Sequence, residues 1–388
     1  MSRSISVVFL ALTATFASAV LASAQVKSSP TDASNPIEAS SSPASSSPAA
    51  YVYVSSSPSS GKTQINAYSA ASSGSLTAVS GSPFSTSGVS YIALNGKWLF
   101  GTNGVDIDSF SIASNGALKQ VDSYTAEPNG GVVNLFLDHT GTSLYADYYT
   151  TNNDYLQYSI NNTTGQLTYV GDLSGGPSIG SVTSFIGDNA FAYSSSCYHF
   201  TPSIYGVQRS SNGTLTWLNT NPPYPTPPSG DFYCPYLAAA DPTNHLAVAI
   251  QPFNGNWVSQ GPYQLATYTA DSSGNLTTSS TSSNMPSVSV NGITNYWMSP
   301  SGKYLAVAGT SGMQIFHFNG ANPITKYTGL LVTKQVDQMF WDNQNHLYAL
   351  SRSAGKLYVF TVTSTSVTQA SGSPHSITNP EYLIVLPR

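Results

Sequence analysis

A Gly-x-Leu turn recurs along the chain, and its spacing leaves few folds open. It stands at Gly74-Ser75-Leu76, Gly116-Ala117-Leu118, Gly165-Gln166-Leu167, Gly213-Thr214-Leu215 and Gly274-Asn275-Leu276. Ile324 and Val367 hold the leucine position in two degenerate copies, so successive spacings are 42, 49, 48, 61, 48 and 43 residues. A second mark precedes each turn, an Asp/Pro/Gly-type corner followed by an apolar stretch. Examples are Asp138-His139-Thr140-Gly141 before Leu144-Tyr145-Ala146, and Asp342-Asn343-Gln344-Asn345 before Leu347-Tyr348-Ala349. Asp and Pro favour tight turns, and Gly supplies positive φ.

Each unit then reads as four short strands, a to d. Strand a enters the corner and strand b is of the Leu-Tyr-Ala type. Strand c alternates, as in Leu265, Thr267 and Thr269, and the Gly-x-Leu turn leads into strand d. Four strands in a repeat of about 40–50 residues describe a propeller blade. The 338 residues from Tyr51 to Arg388 allow about 48 for each of seven blades. The first unit starts at strand b (Tyr51-Val52-Tyr53-Val54), and the chain ends on an orphan strand, Glu381 to Leu386. Placing that strand in blade one closes the ring and removes two open sheet edges. The expected fold is all-β, a seven-bladed β-propeller of four-stranded antiparallel blades.

Strings such as Gly74-Ser75-Leu76-Thr77-Ala78-Val79-Ser80-Gly81-Ser82-Pro83-Phe84 and Gly372-Ser373-Pro374 resemble repeats of the lactonase-type, or YVTN-like, seven-bladed propellers. That family includes 6-phosphogluconolactonase-like proteins, and the resemblance covers nearly all of Tyr51 to Arg388.

Composition bears on compartment and partners. Only 7% of residues are charged, against about 25% in ordinary soluble proteins. A net charge of -5 with 12 Lys+Arg excludes a nucleic-acid surface, which needs cation clusters. Residues 1–24 read as a signal peptide, with Arg3, an apolar run from Ile5 to Leu21, and Ala22-Ser23-Ala24 as the cleavage site. After cleavage no stable membrane insertion is expected. Residues 25–50 read as a disordered linker, since 18 of the 23 positions from Ser28 to Ala50 are Ser, Pro or Ala. Residues 51–388 form the propeller. The expected location is secreted, periplasmic or at the cell surface, and there Cys197 and Cys234 would pair as a disulfide.

The b–c and d–a connections share one face of such a propeller. Three long loops of units four and five are expected there: Ser194–Tyr205, Thr220–Tyr236 and Gln251–Tyr263. Long loops on a rigid scaffold commonly carry function. Their Tyr198, Tyr205, Phe232, Tyr233, Tyr236 and Trp257 would offer a stacking platform to a sugar or an extended peptide. The channel mouth is the second candidate. Aligned strand-a starts give Tyr91, Asn134, Thr183, Tyr236, Asn295, Asp337 with Gln338, and Glu381, a polar ring in which Asp337 and Glu381 are the only carboxylates. Asn134 and Asn295 are ligand-binding candidates; Asp337 and Glu381 are the candidates for acid/base work.

The resemblance implies a test at these positions. Lactone-opening members typically carry a Pro-Arg-His type motif at a strand-a start and a Glu after the next strand b. In unit three Val133 and Asn134 stand where Arg and His would be, and Tyr149 lies near the Glu position. Units six and seven offer Thr294-Asn295 and Asp337-Gln338. The histidines are scattered: His139, His245 and His346 recur at a–b turns, and only His199 and His375 lie on the looped face. No metal and no cofactor are expected. The sequence thus points to an exported, non-catalytic binding module, expected to be a monomer, for a carbohydrate or protein ligand. A secreted lactone hydrolase and a purely structural cell-surface module are the alternatives.

Overall fold

The computed structural model describes residues 47–126, 131–149, 154–173, 184–197, 202–218, 221–228 and 231–388. The expected signal peptide and most of the linker lie outside the described residues, as do Tyr198, His199 and Thr183. Seven antiparallel sheets make seven blades, each containing four strands in the order a-b-c-d. The terminal strand Pro380–Pro387 pairs with Ala50–Ser59 and supplies strand a of blade one, so the ring closes as the orphan strand requires. The other a strands are Tyr91–Leu94, Gly131–Leu137, Ser184–Phe185, Asp231–Ala240, Ile293–Met298 and Gln338–Trp341.

The repeat marks map onto specific contacts. Leu76, Leu118, Leu167, Leu215 and Leu276 each begin a d strand. The glycine before them serves two needs. Gly116 sits at φ +83°, and a Cβ there would lie 2.4 Å from the Tyr51 ring of the preceding blade. Gly165 meets Trp98 and Gly274 meets Phe191 in the same way. The recurring strand-b aromatic ties the same two blades. Tyr53 donates to the carbonyl of Gly116 (3.0 Å), Tyr145 to Gly213 (2.6 Å) and Tyr193 to Gly274 (2.7 Å). In blade two, Trp98 Nε1 donates to Asn162 O at 3.3 Å.

The a–b corners are built as Asx-type caps. Asp138 Oδ1 accepts the Ser143 N–H (2.9 Å), and Asp342 Oδ1 the His346 N–H (2.8 Å). Ser299 Oγ accepts the Tyr304 N–H at 3.0 Å. His346 Nδ1 lies 2.7 Å from the buried Asp342 carboxylate, and Arg209 pairs with Asp138 at 2.8 Å. The three a–b histidines and their aspartates are therefore parts of the turns on the plain face. The hydrophobic core is a ring of layers between adjacent blades, as where Tyr53, Phe100 and Tyr158 pack in one cluster.

Candidate functional site

All seven a strands line one cavity of about 720 Å³ along the central channel. Its walls are aromatic and aliphatic, including Trp297 and Phe340, whose rings lie 4.5 Å apart. Polar groups line both of its ends, with Asp138, His139, Asp241 and Ser299 at the a–b corners and a set of amides at the strand-a starts. Asn295 Oδ1 accepts the Met339 N–H (3.0 Å), and one blade further Gln338 Oε1 accepts the Leu383 N–H (2.7 Å). Each amide is thereby oriented with its carbonyl bound to the next a strand, which leaves both NH2 groups as donors. Tyr382 donates to Asn134 Oδ1 at 3.1 Å and meets the Tyr91 ring edge-on at 5.5 Å. Burial, with Tyr91 beside it, pushes the Tyr382 phenol above its usual range, so it stays neutral.

The two carboxylates are engaged locally and separately. Asp337 accepts from Gln335 Nε2 (2.6 Å) and from the Arg352 N–H (2.7 Å). Glu381 accepts the Ser57 hydroxyl in blade one, and it does not line the cavity, whereas Asp337 does. No contact joins the two among the described residues, and no group of three or more His, Cys, Asp or Glu is placed to hold a metal there.

Two members of the expected ring are displaced, and in blade one Tyr382 lines the cavity instead of Glu381. In blade five Leu237 lines the cavity where Tyr236 was expected, because Tyr236 is the extra residue of a bulge. Val133, Thr294 and Glu381 are the extra residues of the same bulge in blades three, six and one, and Asn134, Asn295 and Tyr382 after them line the cavity. Tyr236 turns instead to Tyr263, ring to ring at 5.0 Å, and donates to Gln251 Oε1 at 3.3 Å. Burial, reinforced by Tyr263, pushes its hydroxyl up to about 12. Tyr382 was missed in the sequence; its signal was its place directly after Glu381, as Asn134 follows Val133 and Asn295 follows Thr294.

The looped face of blade five also differs from expectation. Asp231–Ala240 and His245–Asn254 pair out to Asp231 opposite Asn254, so Phe232, Tyr233 and Phe253 lie on an extended hairpin, not in loops. Aromatic and β-branched residues in both segments (Phe232, Tyr233 and Tyr236 in one, Val248, Ile250 and Phe253 in the other) favour strand. Beyond it, Phe232, Phe253 and Trp257 form a cluster, with Phe232 and Trp257 edge-on at 4.5 Å. Trp257 sits at φ +60°, a left-handed conformation that costs a bulky residue about 1–3 kcal/mol. Tyr233 is a correction to the platform, because it is 3% exposed and donates to Gln264 Oε1 at 3.0 Å. Tyr205 belongs to strand c of blade four (Ser203–Arg209), half-buried against the cluster of Tyr145, Tyr155 and Phe185. Cys197 and Cys234 are bonded, with Cα atoms 5.4 Å apart, fixing the end of strand b in blade four to the base of the hairpin.

No protein-family model matches the chain. No curated protein matches it either. Solved structures do. A 6-phosphogluconolactonase candidate from Bacteroides fragilis superposes with a TM-score of 0.65 at 14% identity, covering 89% of this chain and 99% of that one. The periplasmic gluconolactonase of Pseudomonas aeruginosa gives 0.62 at 14% identity, over 87% and 99%. Apo AztD from Citrobacter koseri gives 0.50 at 11% identity, over 88% and 98%. At such identities the similarity establishes the seven-bladed fold.

Proposed function

We propose that this propeller works outside the cytoplasm, binding an uncharged sugar unit of a saccharide at the channel mouth and leaving it chemically unchanged. One observation carries the reading: the mouth joins aromatic walls to oriented amides, and Asp337, the carboxylate that lines it, already accepts two hydrogen bonds. Sugars suit such a site, since their C–H faces pack on rings and their hydroxyls pair with amides. Water activation at this mouth would need a free base, and Asp337 already accepts hydrogen bonds from Gln335 and the Arg352 N–H. The disulfide and the periplasmic neighbour support the location. The exposed side of the Phe232–Phe253–Trp257 cluster extends the surface for a longer chain.

Titration calorimetry against neutral oligosaccharides tests the site. Asn295→Ala or Gln338→Ala should weaken binding at least tenfold, and an unchanged affinity in both variants would remove the channel from the account. Similarity to a gluconolactonase keeps lactone hydrolysis as a second reading, for which Asp337 is the one cavity-lining carboxylate at the mouth. Lactone turnover lost on Asp337→Ala would establish it.

A further inference from the structure

The propeller holds few cations, and they are unevenly placed. On the looped face they are Lys62 in the b–c turn of blade one and Lys334, Arg352 and Lys356 in blade seven. Arg352 and Lys356 line a second pocket of about 340 Å³ at the seam of these two blades, together with Ser353, Ser376, Thr378 and Asn379. Neither cation takes part in any ion pair of the described residues, which are Arg209–Asp138, His245–Asp241 and His346–Asp342. Asp337 and Glu381 do not line the pocket.

The backbone holds this pocket in shape. Ser351 pairs with Lys356 across the b–c turn, and Lys356 pairs in turn with Ser376. Gly355, at φ +62°, accepts the Ile377 N–H at 3.0 Å. Asn379, at φ +44°, donates through Nδ2 to Ser57 O at 3.1 Å. Lys356 Nζ donates to Ser376 Oγ at 2.8 Å, which sets the ammonium at the pocket wall.

The geometry points to this seam pocket as a subsite for an oxyanion, a carboxylate or sulfate group borne by a saccharide chain. Arg352 presents a planar fork to such a group, Lys356 a point charge, and the hydroxyls further donors. The Arg352 N–H bonds to Asp337 at the channel mouth, so the pocket adjoins the proposed saccharide site. The inference rests on that reading for the nature of the chain, and on the two cations alone for the anion.

Binding is measured for an oligogalacturonide, a sulfated oligosaccharide and a neutral oligosaccharide of equal length, with wild type and with Arg352→Gln/Lys356→Gln. At least one anionic probe should bind tenfold or more tighter than the neutral one, and which of the two does so names the source of the oxyanion. The double variant should reduce that probe to the neutral level and leave neutral binding intact. Anionic and neutral probes binding alike, or a preference that survives the double variant, would overturn the subsite while leaving the channel reading standing. Anionic binding that needs Arg352 and Lys356 but persists in Gln338→Ala, with no neutral binding, would keep the subsite and discard the channel.

Discussion

Gly116 shows how one residue is asked for two things. Its φ of +83° lies where side chains are strained, and its missing Cβ makes room for the Tyr51 ring of the neighbouring blade. Gly116→Ala therefore combines left-handed strain with overpacking, each worth about 1–3 kcal/mol. We expect a loss of about 3 kcal/mol in urea unfolding. Gly61→Ala, at φ +71° with open space around it, supplies the control and should lose only the strain contribution. Equal losses in the two variants would contradict the interblade contact. This double demand is why the glycine was so plain in the sequence. The Leu237-for-Tyr236 exchange was overlooked although Pro235 marks it, since proline within a sheet is confined to edges, strand starts and bulges. Tyr233 was misplaced for a related reason: strand alternation decides which aromatic faces inward, and a loop assignment discards it.

Among elements, the hairpin of Asp231–Ala240 with His245–Asn254 departs most from its blade partners. Its base is fastened by Cys197–Cys234, a crosslink across 37 residues of sequence. Loop closure of that length is worth about 4 kcal/mol through the unfolded chain. Reduction, or Cys234→Ser, should lower the melting temperature and loosen the Phe232–Phe253–Trp257 cluster, seen as a change in tryptophan fluorescence before global unfolding. A coincident loss of both signals would show that the hairpin does not open separately. The strand order of the blades was legible because turns and alternation repeat, whereas this hairpin occurs once and had no second copy to compare.

For the whole molecule, the scarcity of charge sets the pH response. Burial raises the phenols of Tyr53, Tyr193, Tyr268 and Tyr348 above their usual 10.0, so the folded state excludes their ionised forms. A group raised on folding contributes stability that is whole below its unfolded pKa and is lost as pH rises above it. Thermal unfolding should therefore show a steep decline as pH passes 10, with tyrosinate absorbance appearing together with unfolding. Early tyrosinate absorbance in a folded protein would contradict the buried assignment. On the acid side burial alone would raise the Asp138 carboxyl. Its hydrogen bonds with Thr140, Ser143 and Asn189, and the Arg209 charge, outweigh burial and hold it below the usual 3.8. Its contribution persists above that value and disappears as pH falls through the lowered one. Ring closure, the blade number and the missing Arg-His pair were all open to sequence reasoning. The cavity's chemistry was only half open, since amide orientation depends on contacts between non-adjacent strands.

The central claim is that a neutral sugar sits intact against Asn295, Gln338 and Tyr382. A crystal of the protein soaked with a neutral oligosaccharide and, separately, with a sugar lactone tests it directly. The account predicts unaltered ligand in the channel mouth in both. An opened lactone there, or ligand density confined to sites away from the channel, would contradict it.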